Sequence, residues 1–217
     1  MSAFVINPYR FAAAGIEAEY LHTLGPSSII TTTFTYQAED IGTADANRRI
    51  VLCCSNRHGF GVGRVTAVSV GGSSATVALS EQNAIRRFVA IFYVDIAAGT
   101  QADIAITTNG AVQNICTSVF RVVAPSFTLE DTAFAFSQTS PVSQNLNVTS
   151  GGIAFLTCSS GTGNAAYDAP TSSDIASSFE GTNQAHGFAL TSTTETDSIS
   201  ITHPTQVINY GLASFST

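Results

Sequence analysis

The chain predicts an all-β fold: an antiparallel β-sandwich, jelly-roll or immunoglobulin-like, over residues 29–217, preceded by an extended N-terminal arm over residues 1–28. Three observations carry this. From Ile29 onward, short runs rich in Val, Ile, Thr and Phe follow one another at strand length. Turn sequences such as Gly71-Gly72 and Asn109-Gly110 separate them. The coat is hydroxyl rather than charge: Ser and Thr supply 52 of the 217 residues, only 11% of residues are charged, and Lys is absent. With 217 residues, a single domain with a well-buried core is the starting expectation.

Within the arm, Pro8 forbids a regular helix through the tip, while Ala12 to Leu24 read as one or two helical turns stopped by Gly25-Pro26. The alternative for this segment is an edge strand or loop packed on its own domain. ITTTFTY (30–36) and RIVLCC (49–54) read as strands, and RVTAVSV (64–70) alternates apolar and polar residues. Gly71-Gly72 then returns the chain into SATVALS (74–80) as a hairpin. RRFVAIFYVDI (86–96) is apolar on both faces, which predicts an inner strand covered from two sides. ADIAITT, Asn109-Gly110 and AVQNICTSVFRVV predict a further hairpin, since a type I′ turn wants positive φ at both loop positions.

The second half repeats this grammar. GGIAFLTCSS (151–160) echoes IVLCCS (50–55), HGFAL echoes RFVAIFYV, and DSISITHPTQVINYGLASFS echoes ADIAITTNGAVQNICTSVF. Either a duplication or two sheets built under the same rules accounts for the echo, and the second is the simpler account. Residues 161–184 read as a long Gly, Ser and Asp-rich loop of the kind that carries binding surfaces at the end of a sandwich. Within it, Tyr167, Asp168, Asp174 and Phe179 are the residues expected to be displayed.

All eight arginines lie at or before Arg121 together with eight of the fifteen acids, so the last 96 residues carry the whole net charge of −7. That balance argues against nucleic acid as a partner, because phosphate neutralisation needs clustered cations, and Arg48-Arg49 and Arg86-Arg87 read as solvated strand ends. No run reaches the roughly 18 apolar residues of a membrane-spanning helix. The opening MSAFVINPYRFAAAG lacks the pattern of a secretory signal, so no membrane partner and synthesis in a cytoplasm are expected.

Candidate chemistry is sparse. Without Lys there is no phosphate-binding loop ending in Lys and no Schiff base. The glycines of Arg57-His58-Gly59-Phe60-Gly61-Val62-Gly63-Arg64 lead into a strand rather than the helix a dinucleotide fingerprint requires. His22, His58, His186 and His203 are scattered, with none of the local spacings that assemble a metal site. Cys53, Cys54, Cys116 and Cys158 sit inside strand patterns and read as buried free thiols, with Cys53 and Cys54 on opposite faces of one strand. Asp168, Asp174, Glu180, Glu195 and Asp197 read as solvation of a Lys-free surface rather than as a glycosidase pair. The residues therefore predict no enzyme, no catalytic residue, no metal and no cofactor.

The opening INPYRFA, followed by VSVGGSSATV and IFYVDIAAGTQADIAIT in a Ser/Thr-rich, Lys-poor series of strands, resembles surface structural proteins of tailed-bacteriophage virions, of the tail-fibre, spike or head-decoration kind. The resemblance implies a virion location and an N-terminal arm that docks the subunit on the particle through Phe4, Asn7, Pro8, Tyr9, Arg10 and Phe11. It also implies partners among sister copies and other virion proteins. The competing reading is a glycan-binding module for host-surface recognition, which would share the all-β, hydroxyl-rich character.

Overall fold

The structure, a computed structural model, describes residues 10–13, 16–25, 27, 29–56, 63–82, 87–137, 142–160, 166–168, 174–179, 184–190, 195–202 and 208–217. Every regular element among them is a strand. The first ten are β1 (Arg10–Ala13), β2 (Ile16–Leu24), β3 (Thr31–Asp40), β4 (Arg48–Asn56), β5 (Val65–Val70), β6 (Ser73–Ser74), β7 (Thr76–Gln82), β8 (Phe88–Asp95), β9 (Gln101–Val112) and β10 (Ile115–Val123). The remainder are β11 (Thr128–Ser137), β12 (Val142–Val148), β13 (Ile153–Ser160), β14 (Ala166–Asp168), β15 (Asp174–Phe179), β16 (Gln184–Leu190), β17 (Glu195–Thr202) and β18 (Ile208–Ser216).

They form four antiparallel sheets. Sheet I runs β1-β2-β10-β4-β8-β7, sheet II β3-β9-β5-β6, sheet III β11-β18-β13-β16-β15, and sheet IV β12-β17-β14. Three apolar layers join them. Ile50, Leu52, Cys54, Phe88 and Phe92 of sheet I meet Phe34, Val68, Val70, Ile104 and Ile106 of sheet II. On the other face of sheet I, Val51, Cys53, Ile91, Phe120 and Val122 meet Ile153, Phe155, Ala213 and Phe215 of sheet III. Leu146 and Val148 of sheet IV close over Leu156, Cys158 and Leu212 on the far face of sheet III. The order of layers is therefore II, I, III, IV, and the two inner sheets are covered on both faces.

That burial explains the sequence pattern. Strands alternate their side chains between faces, so a strand between two apolar layers is apolar on both faces along the stretch they cover. The middle of β4 shows it: Val51, Leu52, Cys53 and Cys54 are all 0% exposed, and consecutive residues belong to different layers, while β10 also buries Thr117, Ser118 and Arg121. β8, the described strand within RRFVAIFYVDI, is thus an inner strand, as its composition requires. Each fully buried Phe or Ile contributes about 1.5–3 kcal/mol relative to exposure. The sheets approach closely where β18 crosses β7 and β8, since a Cβ on Gly211 would collide with Leu79 and stand 3.2 Å from Val89.

Counting the split run β6 and β7 as one strand, the first unit comprises eight strands from β2 to β10. In those terms sheet I holds 1-8-3-6 and sheet II holds 2-7-4-5, which is the order of a jelly roll. Strand 5 begins beside β5 and then, at Ala75, crosses to the edge of sheet I as β7. The eight strands β11 to β18 repeat this arrangement: sheet III reads 1-8-3-6-5 and sheet IV reads 2-7-4. Each of the three sequence echoes falls on strands in corresponding positions, β4 with β13, β8 with β16, and β9-β10 with β17-β18. The echo therefore falls on a repeated strand order, and the antiparallel sandwich packing expected from the sequence takes the form of four stacked sheets.

Three local expectations are corrected. Ile16–Leu24 is a strand, not helical turns: it pairs β10 from Thr117↔Leu24 to Val123↔Glu17 and belongs to sheet I, so the folded body begins ahead of residue 28. Asn109-Gly110 is no hairpin turn. β9 continues through both residues to Val112, neither has positive φ, and β9 and β10 lie in different sheets. The reason is local competition: Asn109 Oδ1 accepts the Arg64 N–H at 2.9 Å and its own N–H bonds Arg64 O, which holds the dipeptide alongside the entrance to β5. The reversal falls instead at Asn114, whose φ is 59°. Finally, the span 161–184 contains β14 and β15 rather than running as one loop. Gly71-Gly72, by contrast, is the two-residue turn its sequence requires, with φ of 56° and 81° joining Val70 to Ser73.

Candidate functional site

Of the arm residues, Arg10 and Phe11 lie on β1, opposite Glu19 and Ala18 of β2. Phe4, Asn7, Pro8 and Tyr9 lie outside the described residues. Tyr167 and Asp168 lie on β14, opposite Ile201 and Ser200 of β17, in sheet IV. Asp174 and Phe179 are the two ends of β15, opposite Leu190 and Ala185 of β16, in sheet III. The four expected loop residues are thus divided between two sheets.

Among the described residues no group of three or more His, Cys, Asp and Glu side chains is placed to hold a metal. His22 of β2 faces Glu39 of β3, Nε2 to Oε2 3.2 Å, linking sheets I and II. All four cysteines are buried, and none is in a disulfide. Burial pushes the Cys53 thiol well up, with Cys54 adding to it, and pushes Cys54 up to about 12 against a hydrogen bond from Thr117. Both are held as thiols, and it is the thiolate that is nucleophilic.

Of the arginines that sequence reasoning placed in solvent, Arg48 and Arg87 are buried, Arg49 is half-buried, and Arg86 lies outside the described residues. Arg48 is 1% exposed. Its Nε donates to Ile96 O at 2.6 Å, Nη1 to Ile41 O at 3.2 Å and Gly42 O at 2.7 Å, and Nη2 to Ala98 O at 2.8 Å and Gly99 O at 2.9 Å. One guanidinium thereby fastens the end of β3 to the segment after β8. Desolvation, and then neighbouring Arg121, lower its pKa, but an arginine remains charged. Arg121 is anchored by Glu17 at 3.1 Å and by Thr43 O at 2.9 Å. No residue spacing announces these cages, because most of the acceptors are main-chain carbonyls, which carry no residue type, and several are about 50 or more residues away.

Openings interrupt the surface formed by the described residues. A cleft of about 300 Å³ lies where strand 5 switches sheets, lined by Ser73, Ser74, Thr76, Tyr93, Val94 and Asp95. Asp95, largely exposed, takes a 2.8 Å ion pair from Arg49 Nε, and the Tyr93 ring packs edge-on against Phe127 and Phe215. Arg49 in turn lies over Phe127 and donates to Ala124 O, fixing the link between the two units. A second opening, about 190 Å³, runs along β3 and is lined by Ser27, Ile29, Thr31, Phe34 and Tyr36, among others. Burial, then Cys54, Cys116 and Glu39, push the Tyr36 phenol up to about 12. Sequence reasoning found neither opening, since each is assembled by strands changing sheets or reaching an edge.

No family model matches the chain, and no curated protein or solved structure matches it.

Proposed function

We propose that this chain is a non-enzymatic structural component of a tailed-phage virion, displayed on the particle surface, self-associating, and docked through its N-terminal segment. The observation that carries the reading is the stack itself. Four sheets are joined by three apolar layers, and on the described outer face of sheet II hydroxyl and small side chains such as Thr33, Thr35, Thr66 and Ser74 are exposed. A packed, weakly charged block suits repeated assembly, in which many modest contacts add by avidity. The resemblance of the opening INPYRFA and of the strand phrases supplies the particle. The test is co-sedimentation: the protein should travel with intact particles in a fixed copy number, and particles lacking it throughout would refute the reading.

One observation favours the glycan-binding alternative. The cleft at Tyr93 and Asp95 combines a ring, an exposed carboxylate and three hydroxyls, which is the chemistry that holds a neutral saccharide. Saccharide binding abolished by Asp95→Asn would support that alternative.

A further inference from the structure

We propose that Asn109-Gly110 is a modification site that the fold keeps latent: the pair closes to a succinimide, and opens to aspartate or isoaspartate, only when β9 comes away from Arg64. Among the asparagines of the chain, Asn109 alone is followed by glycine. Closure requires the next main-chain nitrogen to reach the side-chain amide carbon, and a residue without a Cβ obstructs that approach least. The Gly110 nitrogen bonds to Asn109 Cγ, the Cγ–N bond of the amide breaks, and the Gly110 proton leaves with that nitrogen as ammonia. Water then opens the ring at one carbonyl or the other. The sum is one water taken up and one ammonia released, with no change of oxidation state.

The structure supplies both the exposure and the latch. On the β3 side, Val112 pairs Thr31 and Thr107 pairs Thr33, so residues 108–111 stand opposite Thr32 alone and bulge from the ladder. Asn109 is exposed there, within reach of the water that ring opening consumes. On the β5 side the same pair is gripped. Asn109 Oδ1 accepts the Arg64 N–H at 2.9 Å, and the Asn109 N–H donates to Arg64 O at 3.1 Å. Thr108 Oγ1 donates to Gly110 O at 2.8 Å. Gly63 lies so close that a Cβ on it would stand 2.7 Å from Gly110 O and 3.1 Å from Gly110 N. Cγ swings onto the Gly110 nitrogen only by giving up the Arg64 bond and turning a peptide that has no room to turn, so the rate of modification follows local opening.

The two products differ in what they leave behind. Aspartate keeps an oxygen for the Arg64 N–H and adds a negative charge to a chain already at −7. Isoaspartate lengthens the main chain by a methylene between residues 109 and 110, which carries Gly110 out of line with Thr108 Oγ1 and Gly63. A chain marked that way does not restore the junction of β9 with β5, so an opening event is recorded permanently. This goes beyond the structural role proposed above and does not depend on it.

The test follows Asn109 in the purified full chain at mildly alkaline pH, by mass spectrometry of the tryptic peptide 88–121, with isoaspartate distinguished by fragmentation. In guanidinium chloride Asn109 should be the fastest-modified asparagine of the chain, and in buffer its rate should fall at least about tenfold. Thr108→Val keeps the shape and removes the bond to Gly110 O, while Gly63→Ala pushes against the Gly110 peptide. Each should speed modification in buffer at least about threefold and leave the rate in denaturant unchanged. The Thr108→Val result stands by itself if Gly63→Ala fails to fold. Modification of the parent as fast in buffer as in denaturant, another asparagine leading in denaturant, or a Thr108→Val variant with an unchanged rate in buffer would overturn the proposal.

Discussion

Replacing Arg48 by Met removes a guanidinium that makes five hydrogen bonds to carbonyls while keeping much of its apolar stem. The acceptors do not suffer equally. The bond to Ile41 O is buried, and a buried acceptor left without a partner costs about 1–3 kcal/mol. The other four are partly buried, so water replaces the lost donor at about 0.5–1 kcal/mol each. Against this, the variant no longer desolvates a cation, which returns about 2 kcal/mol. The expected net loss is about 1–5 kcal/mol with a centre near 3, enough at the centre to move a urea midpoint by roughly 1 M for a slope of 2–3 kcal/mol/M. Because every acceptor is a carbonyl, the difference between parent and variant should not change with salt, unlike that of a surface ion pair. Hydrogen exchange should rise first at residues 41–42 and 96–99, which the side chain ties together. Arg48→Lys, whose ammonium has three donors and no planar fork, should recover less than half of the loss. A Met variant within about 0.5 kcal/mol of the parent, or a Lys variant equal to it, would refute the clamp.

Two further outcomes follow from the same geometry. Gly211→Ala sets a methyl group against Leu79 between sheets I and III and should cost about 1–3 kcal/mol by thermal unfolding, with Leu79→Ala partly rescuing it; an unchanged midpoint would mean that the sheets are not in contact there. Tyr36 and Tyr210 are pushed from 10.0 to about 12 by burial. The folded state therefore holds protons that the unfolded state has released, so stability should be intact below about pH 10 and fall as pH rises toward 12, and Tyr36→Phe should shallow that slope in an alkaline titration.

The parts of this fold legible in the sequence are those fixed by local alternation. β8 betrays its double burial by having no polar face, and Cys53 and Cys54 divide between two layers because neighbours on a strand must. β2 was legible too: Ile16, Ala18 and Tyr20 alternate with Glu17 and Glu19, but the alanines before them suggested helix, and pairing with β10 overrode that propensity. What the sequence hides is whatever depends on distant partners. Asn109-Gly110 has the composition of a turn, yet Arg64, 45 residues away, recruits Asn109 into a strand. Likewise Arg48 and Arg49 look alike on paper, and only the face each takes on β4 decides that one is caged by carbonyls and the other reaches out to Asp95. The clefts along β3 and beside Tyr93 are products of sheet edges and crossings, to which no local pattern points.

Each unit is closed by its last strand, and this has a bearing on how the chain comes off the ribosome. β10 inserts between β2 and β4, and β18 inserts between β11 and β13, so neither inner sheet can zip outward from its first hairpin. While residues 208–216 are still unmade, sheet III lacks a middle strand rather than an edge, and the apolar face that sheet I offers to Phe155 and Phe215 stays half covered. The nascent first unit must therefore wait with a sticky side exposed, the state in which neighbouring chains on one message aggregate or exchange units. The hydroxyl-rich exterior thus matters most during birth: a chain that is slow to complete its middle benefits from having little else on its surface that adheres.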